Sequence, residues 1–165
     1  MKKNVLLFAF FILALAACQQ QVEVKSVDSE AEEAAINDLL VQLATSFKEQ
    51  DVPGIVSLLS EDVLMLGSDP SEIWNKEEIT AMWTQLLTQP VELKMTADPV
   101  IKLAPDGKSA TAVQQYVMPV FSTKIEFRNV YHLIKEDGNW LIFVSTTGCI
   151  LKNEDLPKID EVIGE

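Results

Sequence analysis

Few side chains in this sequence could move a proton or hold a metal. It has one histidine, His132, and two cysteines, Cys18 and Cys149. A single histidine excludes any site built on a histidine pair, and no cysteine–histidine cluster has the spacing zinc needs. No metal and no other cofactor is expected. Acid–base chemistry needs a carboxylate or histidine tuned by burial, beside a donor that holds developing negative charge. The candidates within strand-like segments are His132, Tyr116, Gln114, Glu126, Arg128, Asn129 and Tyr131. Alternation puts Glu126, Arg128 and His132 on one face of their strand, with Asn129 and Tyr131 on the other. Both faces carry apolar neighbours, so the inward one stays open. In one reading His132 is a base or donor with Tyr116 or Arg128 near it. In the other it is a satisfied residue on an outer face, and Glu126 and Arg128 are a solvated pair. No aspartate stands mid-strand to work with it. No catalytic residue is assigned, and the balance leans away from an enzyme.

A second group surrounds a loop. Gly67 to Ser71, GSDPS, is turn chemistry, with Trp74 following just before a helix. In one reading this loop is the lip of a pocket, with Trp74 as a wall and Asp69 or Glu72 inside. In the other Trp74 closes the end of the core and both carboxylates are solvated, because turns favour Asp for backbone reasons alone.

The third candidate is Cys18. Met1-Lys2-Lys3 precedes an apolar run from Val5 to Ala17, too short to span a bilayer but suited to the core of a signal peptide. Leu15-Ala16-Ala17-Cys18 resembles the lipobox of bacterial lipoproteins. That resemblance implies cleavage before Cys18, its lipidation, and a place in the cell envelope. Gln19 at the next position resembles lipoproteins sent to the outer membrane. With Cys18 lipidated, Cys149 has no partner in the chain and no disulfide is expected. The formal net charge of −12 argues against nucleic acid as a partner, since such binding needs basic patches.

The elements that must position these residues follow from periodicity. Ser29 and Glu32 have capping-box spacing, and Ile36, Leu39, Leu40, Leu43, Ala44 and Phe47 form one helical stripe. Asp51 can cap a short second helix with Pro53 in its first turn. Val63 to Leu66 reads as a short strand buried on both faces. Asn75 and Glu78 open a third helix carrying Ile79, Met82, Trp83, Leu86 and Leu87, and Pro90 ends it. Strands then follow at Val91 to Thr96, Val100 to Ala104, Ser109 to Val120, Phe121 to Glu136 and Trp140 to Thr147. The layout is a signal segment at 1–17, a tether at 18–28, one domain at 29–149, and an acidic tail at 150–165 with a short helix near Pro157 to Ile163. Helices first and a strand meander after them mean α+β, with helices on one face of an antiparallel sheet.

The helix pair AINDLLVQLATSFKEQDVPGIVSLLSEDV, the loop GSDPSEIWNKEEITAMW and the ending FRNVYHLIKEDGNWLIFVST resemble the SnoaL-like branch of the nuclear transport factor 2 superfamily. The resemblance covers about Glu30 to Thr147. It implies a cone, a curved antiparallel sheet wrapped around the N-terminal helices, with a pocket in its open end. Members include isomerases, cyclases, dehydratases, epoxide hydrolases, and plain binding or dimerising domains. None of their catalytic residues finds a matching motif here. The resemblance therefore implies a lipid-anchored domain that binds a small apolar molecule without turnover. Met65, Trp74, Trp83, Tyr116 and Tyr131 are its candidate wall. One alternative is an isomerase, dehydratase or hydrolase using His132. Another is an interaction domain with a vestigial pocket, and a homodimer through the convex sheet face is expected on the same ground.

Overall fold

The computed structural model describes residues 27–164. The signal segment, Cys18 and all but the end of the tether lie outside them. The chain runs α1 (Ser29–Glu49), α2 (Val52–Ser57), β1 (Leu59–Leu66), β2 (Ile73–Trp74), α3 (Lys76–Leu86), β3 (Lys94–Met95), β4 (Val100–Leu103), β5 (Ser109–Val117), β6 (Glu126–Glu136) and β7 (Asn139–Ile150). A short 3-10 turn and α4 (Leu156–Ile163) close it.

Local chemistry sets the helix ends. Asp28 caps α1, its carboxylate accepting from the Ala31 amide at 3.2 Å. The expected Ser29/Glu32 box does not form, because the Glu32 carboxylate is engaged across the molecule instead: it accepts from Lys135 and from the Trp140 indole. Asp51 caps α2 through the Gly54 amide at 3.0 Å, with Pro53 in the first turn as expected. At α3 both halves of the Asn75/Glu78 box are present, at 3.0 and 2.9 Å. The apolar stripe of α1 buries Ile36, Leu39, Leu40, Leu43 and Phe47.

The sheet order is β2-β1-β7-β6-β5-β3, with β4 also pairing with β5. All pairs are antiparallel except β1 with β7, which run parallel. That exception departs from a pure meander, because the first strand is seated beside the last. The β6–β7 hairpin turns through Asp137 and Gly138 at φ 49 and 87. Two residues at positive φ match the twist of the flanking strands. The β6–β7 register slips between His132 and Leu133, leaving Phe143 as the additional residue of β7. Such bulges bend a strand and deepen its twist, and here the sheet curves around α1 and α3.

Several boundaries differ from the sequence reading. β1 begins at Leu59 and is not buried on both faces: Leu64 points outward and is exposed. Of Val91 to Thr96 only Lys94–Met95 is strand, and residues 118–125 are turn and coil between β5 and β6. β7 continues past Thr147 to Ile150. Toward the β6–β7 turn the core buries Ile36, Ala110, Ala112, Leu133, Trp140 and Ile142.

Candidate functional site

Between the concave face of the sheet and the helices lies a cavity of about 380 Å³. Leu43 and Phe47 of α1 and Met82, Trp83 and Leu86 of α3 form its helix wall. Tyr116 of β5, Asn129 and Tyr131 of β6, and Ser145 and Thr147 of β7 lie on its sheet wall. Met65 and the loop of Gly67, Ser68, Glu72 and Trp74 close one side. The cavity thus has one apolar, aromatic wall and one wall crossed by a polar stripe.

Alternation produces that stripe. On β5 it turns Ala110, Ala112, Gln114 and Tyr116 inward, and all four are buried. On β6, Asn129, Tyr131 and Leu133 face inward in register with them. The Tyr116 hydroxyl donates to Asn129 Oδ1 at 2.8 Å. Asn129 Nδ2 donates to the Tyr131 hydroxyl at 3.0 Å and reaches Ser145 Oγ at 3.5 Å. Burial pushes the Tyr116 phenol up to about 12, with a hydrogen bond to Thr147 opposing it. Tyr131 is raised well above its ordinary value by burial first and then by Tyr116, with Asn129 opposing. Both phenols are neutral throughout the physiological range, so they act as donors and acceptors and not as charges. Tyr131 accepts from Asn129, which leaves its own proton outside that bond.

The loop is built for shape. Glu72 Oε2 accepts from the Asp69 amide at 3.0 Å, and Asp69 Oδ1 accepts from the Ser71 amide at 2.8 Å. The Ser71 hydroxyl and then its amide hold the Asp69 carboxyl below its usual range. Asp69 therefore serves the turn and is not part of the cavity wall, while Glu72 is. A Cβ on Gly67 would lie 2.6 Å from Glu72 Cβ, so only glycine lets the loop close this tightly. On the helix wall, the Trp83 ring meets Phe47 edge-on with centroids 4.7 Å apart. The Trp83 indole N–H is buried and has no acceptor among the described residues.

All five residues expected in the wall, Met65, Trp74, Trp83, Tyr116 and Tyr131, do line the cavity. His132 does not. It is exposed on the outer face of β6, its ring 6.1 Å from that of Phe143. Inward-facing Tyr131 forces its neighbour outward, so His132 cannot meet Tyr116, which is on the inner face. Arg128 and Glu126 share the outer face; Arg128 reaches Gln115 at 3.4 Å, and Glu126 accepts from Thr96 at 3.4 Å. An acid–base mechanism through His132 in the cavity loses its group. Among the described residues no cluster of three histidine, cysteine or acidic side chains could hold a metal ion.

Sequence reasoning missed Ser145 and Thr147. Trp140 and Ile142 face inward, and unbroken alternation would carry the inner face on through Val144 and Thr146. The bulge at Phe143 shifts the phase, turning Ser145 and Thr147 inward instead. A polar run after a buried Trp and Ile is a faint signal of it.

Known proteins agree with this geometry. A SnoaL-like domain family model matches residues 36–145. A protein of unknown function described as NTF2-like, from Pseudomonas putida KT2440, superposes with a TM-score of 0.65 at 18% identity, covering 77% of this chain and 92% of its own. A domain of unknown function with a cystatin-like fold, from Nostoc punctiforme PCC 73102, gives 0.66 at 18%, covering 82% and 87%. A Novosphingobium aromaticivorans DSM 12444 protein provisionally named a scytalone dehydratase gives 0.62 at 12%, covering 74% and 87%. No curated protein matches the sequence. At these identities the solved structures speak for the fold and not for a reaction. The family model spans most of the domain from α1 to β7, and the chain belongs to the SnoaL-like family, with the NTF2-like cone as its fold.

Proposed function

We propose that this domain is a binding module whose cone holds a small, mostly apolar molecule and turns nothing over. The observation that carries the reading is the cavity of about 380 Å³ with an aromatic and aliphatic lining and a neutral polar stripe. That combination suits ligand capture: apolar surface supplies affinity, and a few fixed polar groups orient the guest. Glu72 is the one carboxylate among the lining residues, and one of its oxygens accepts from the loop amide of Asp69. An interaction domain without a ligand would have no need of so open a cavity. The test is titration of the purified protein with the neutral fluorophore N-phenyl-1-naphthylamine. One molecule is expected to bind per chain. Trp83→Ala should weaken binding about tenfold or more, while His132→Ala leaves it unchanged. No binding, or binding indifferent to Trp83→Ala, would overturn the reading.

We also propose that Cys18 is acylated and tethers the domain to the cell envelope, in the outer membrane. Support comes from the Leu15-Ala16-Ala17-Cys18 motif after its short apolar run. Each buried CH₂ contributes about 0.8 kcal/mol, so two or more acyl chains hold stably. Mass spectrometry of the membrane fraction should find the modified N-terminus, and Cys18→Ala should release the protein from it.

A further inference from the structure

Val27, the first described residue, fixes where the tether meets the domain. Its side chain covers Gly107 so closely that a Cβ there would lie 2.7 Å from Val27 Cγ2. Gly107 belongs to the β4–β5 turn, and that turn is joined to the end of β6, where the Lys135 amide donates to the Lys108 carbonyl at 2.9 Å. At the same place Glu32 ties the first turn of α1 to Lys135 and Trp140. The chain therefore enters the domain at the closed, hairpin end. The mouth of the cavity is at the other end, where Leu86, Phe121 and Cys149 line it and Cys149 pairs with Phe127 near the start of β6.

Length decides what this entry point permits. Eight residues, 19–26, separate Cys18 from Val27. Even drawn out straight, that stretch reaches only about 30 Å. The domain is at least as long: the 21 residues of α1 rise about 31 Å, and β7 runs about 33 Å from Asn139 to Cys149. To rest the mouth on a bilayer that carries Cys18, the tether would have to run back along the whole domain with nothing to spare.

We infer that the short tether holds the cone with its closed end toward the bilayer and its mouth opening away from it, into the aqueous compartment. This rests on acylation of Cys18, and it adds which side of the domain the membrane meets. The surface facing the headgroups is the pair of turns bearing Asp106, Lys108, Glu136 and Asp137, all exposed. Charges of both signs keep that surface among the headgroups and out of the hydrocarbon. A guest then reaches the cone through water and does not slide in from the lipid beneath.

The experiment uses the full-length chain purified from the membrane fraction and reconstituted into phosphatidylcholine vesicles containing a lipid with a nitroxide on its headgroup, a short-range quencher of fluorescence. A thiol-reactive fluorophore is placed on the exposed native Cys149 for the mouth. For the closed end it is placed on Glu136→Cys in a Cys149→Ser background, with Lys108→Cys as a second site should the first fail to fold. The closed-end label is expected to lose most of its emission and the Cys149 label little. Inserting about twenty Gly/Ser residues after Gln21 extends the reach to about 100 Å and should shrink the difference. Equal quenching at the two ends, stronger quenching at Cys149, or a difference untouched by the insertion overturns the inference while leaving an acylated Cys18 in place. If Cys18→Ala leaves the membrane fraction unchanged, the acylation reading falls and this orientation with it.

Discussion

The two ends of the cone are built from the same strands and solve opposite problems. At the hairpin end, Ile36 and Leu133 are 0% exposed and Trp140 6%. There Glu32 joins α1 to the β6–β7 hairpin, accepting from Lys135 Nζ at 2.5 and 2.6 Å and from the Trp140 indole at 2.8 Å. At the mouth, Leu86 is 54% and Phe121 69% exposed, and a buried donor goes unused. One end fills its volume and ties its carboxylate to two donors; the other keeps open space beside an indole N–H without a partner among the described residues. A domain whose stability is concentrated at one end can tolerate an open, partly unsatisfied site at the other.

The contrast breaks most severely with Leu133→Asp. A charge forced among fully buried apolar neighbours should leave little folded protein, checked by soluble yield and near-ultraviolet dichroism. Ile36→Ala should cost about 2–5 kcal/mol by leaving a cavity, read from urea unfolding. If either variant melts like the parent, the hairpin end is not where the stability lies.

Glu32→Gln tests the charged staple through pH. Hydrogen bonds from Lys135 and then Trp140 hold the Glu32 carboxyl below 4.5 in the fold. A depressed folded value means that the unfolded chain binds the proton more readily. The staple's contribution is therefore fully present above about pH 4.5 and fades as pH falls through the folded value. At pH 7 the variant should melt below the parent, and the gap should narrow on acidification. A gap constant from pH 7 to 3 would show that packing and not charge joins these elements.

At the mouth the same kind of change should matter little to stability. Leu86→Ala is expected to stay within about 0.5–1 kcal/mol of the parent, as for exposed positions generally, while weakening N-phenyl-1-naphthylamine retention. His132→Ala, on the outer face, should alter neither melting nor binding. Sedimentation of the same protein tests whether that face, with exposed Leu64 beside Val144, forms a homodimer; a monomer at micromolar concentration would end that proposal.

Much of this was legible in the sequence because local rules carry it. The Asn75/Glu78 box, the Asp51 cap and the α1 stripe depend on neighbours a few residues away, and each formed as spaced. The five wall residues were found because large aromatic and sulfur-bearing side chains on inward faces have few other places to go. What could not be read depends on distant partners. Glu32 was assigned to a cap, yet its partners stand 103 and 108 residues away. The phase of β7 turns on a bulge set by its pairing with β6. The position of His132 turns on which face of β6 is inward, and that was undecidable until Tyr116, Asn129 and Tyr131 joined into one network.

The seating of β1 beside β7 bears on how the chain folds. Leu59 pairs with Ile142 and Leu66 with Thr146, so the sheet's first long strand waits for its last. Loops of that length must close before any contact rewards them, which slows folding and makes it cooperative. A chain cut short before Asn139 would leave one edge of β1 unpaired, with Val63 and Met65 uncovered. Such a fragment should aggregate or be degraded. The topology therefore acts as a check on completeness: the half carrying α1 and α3 gains its sheet only when the final strand arrives.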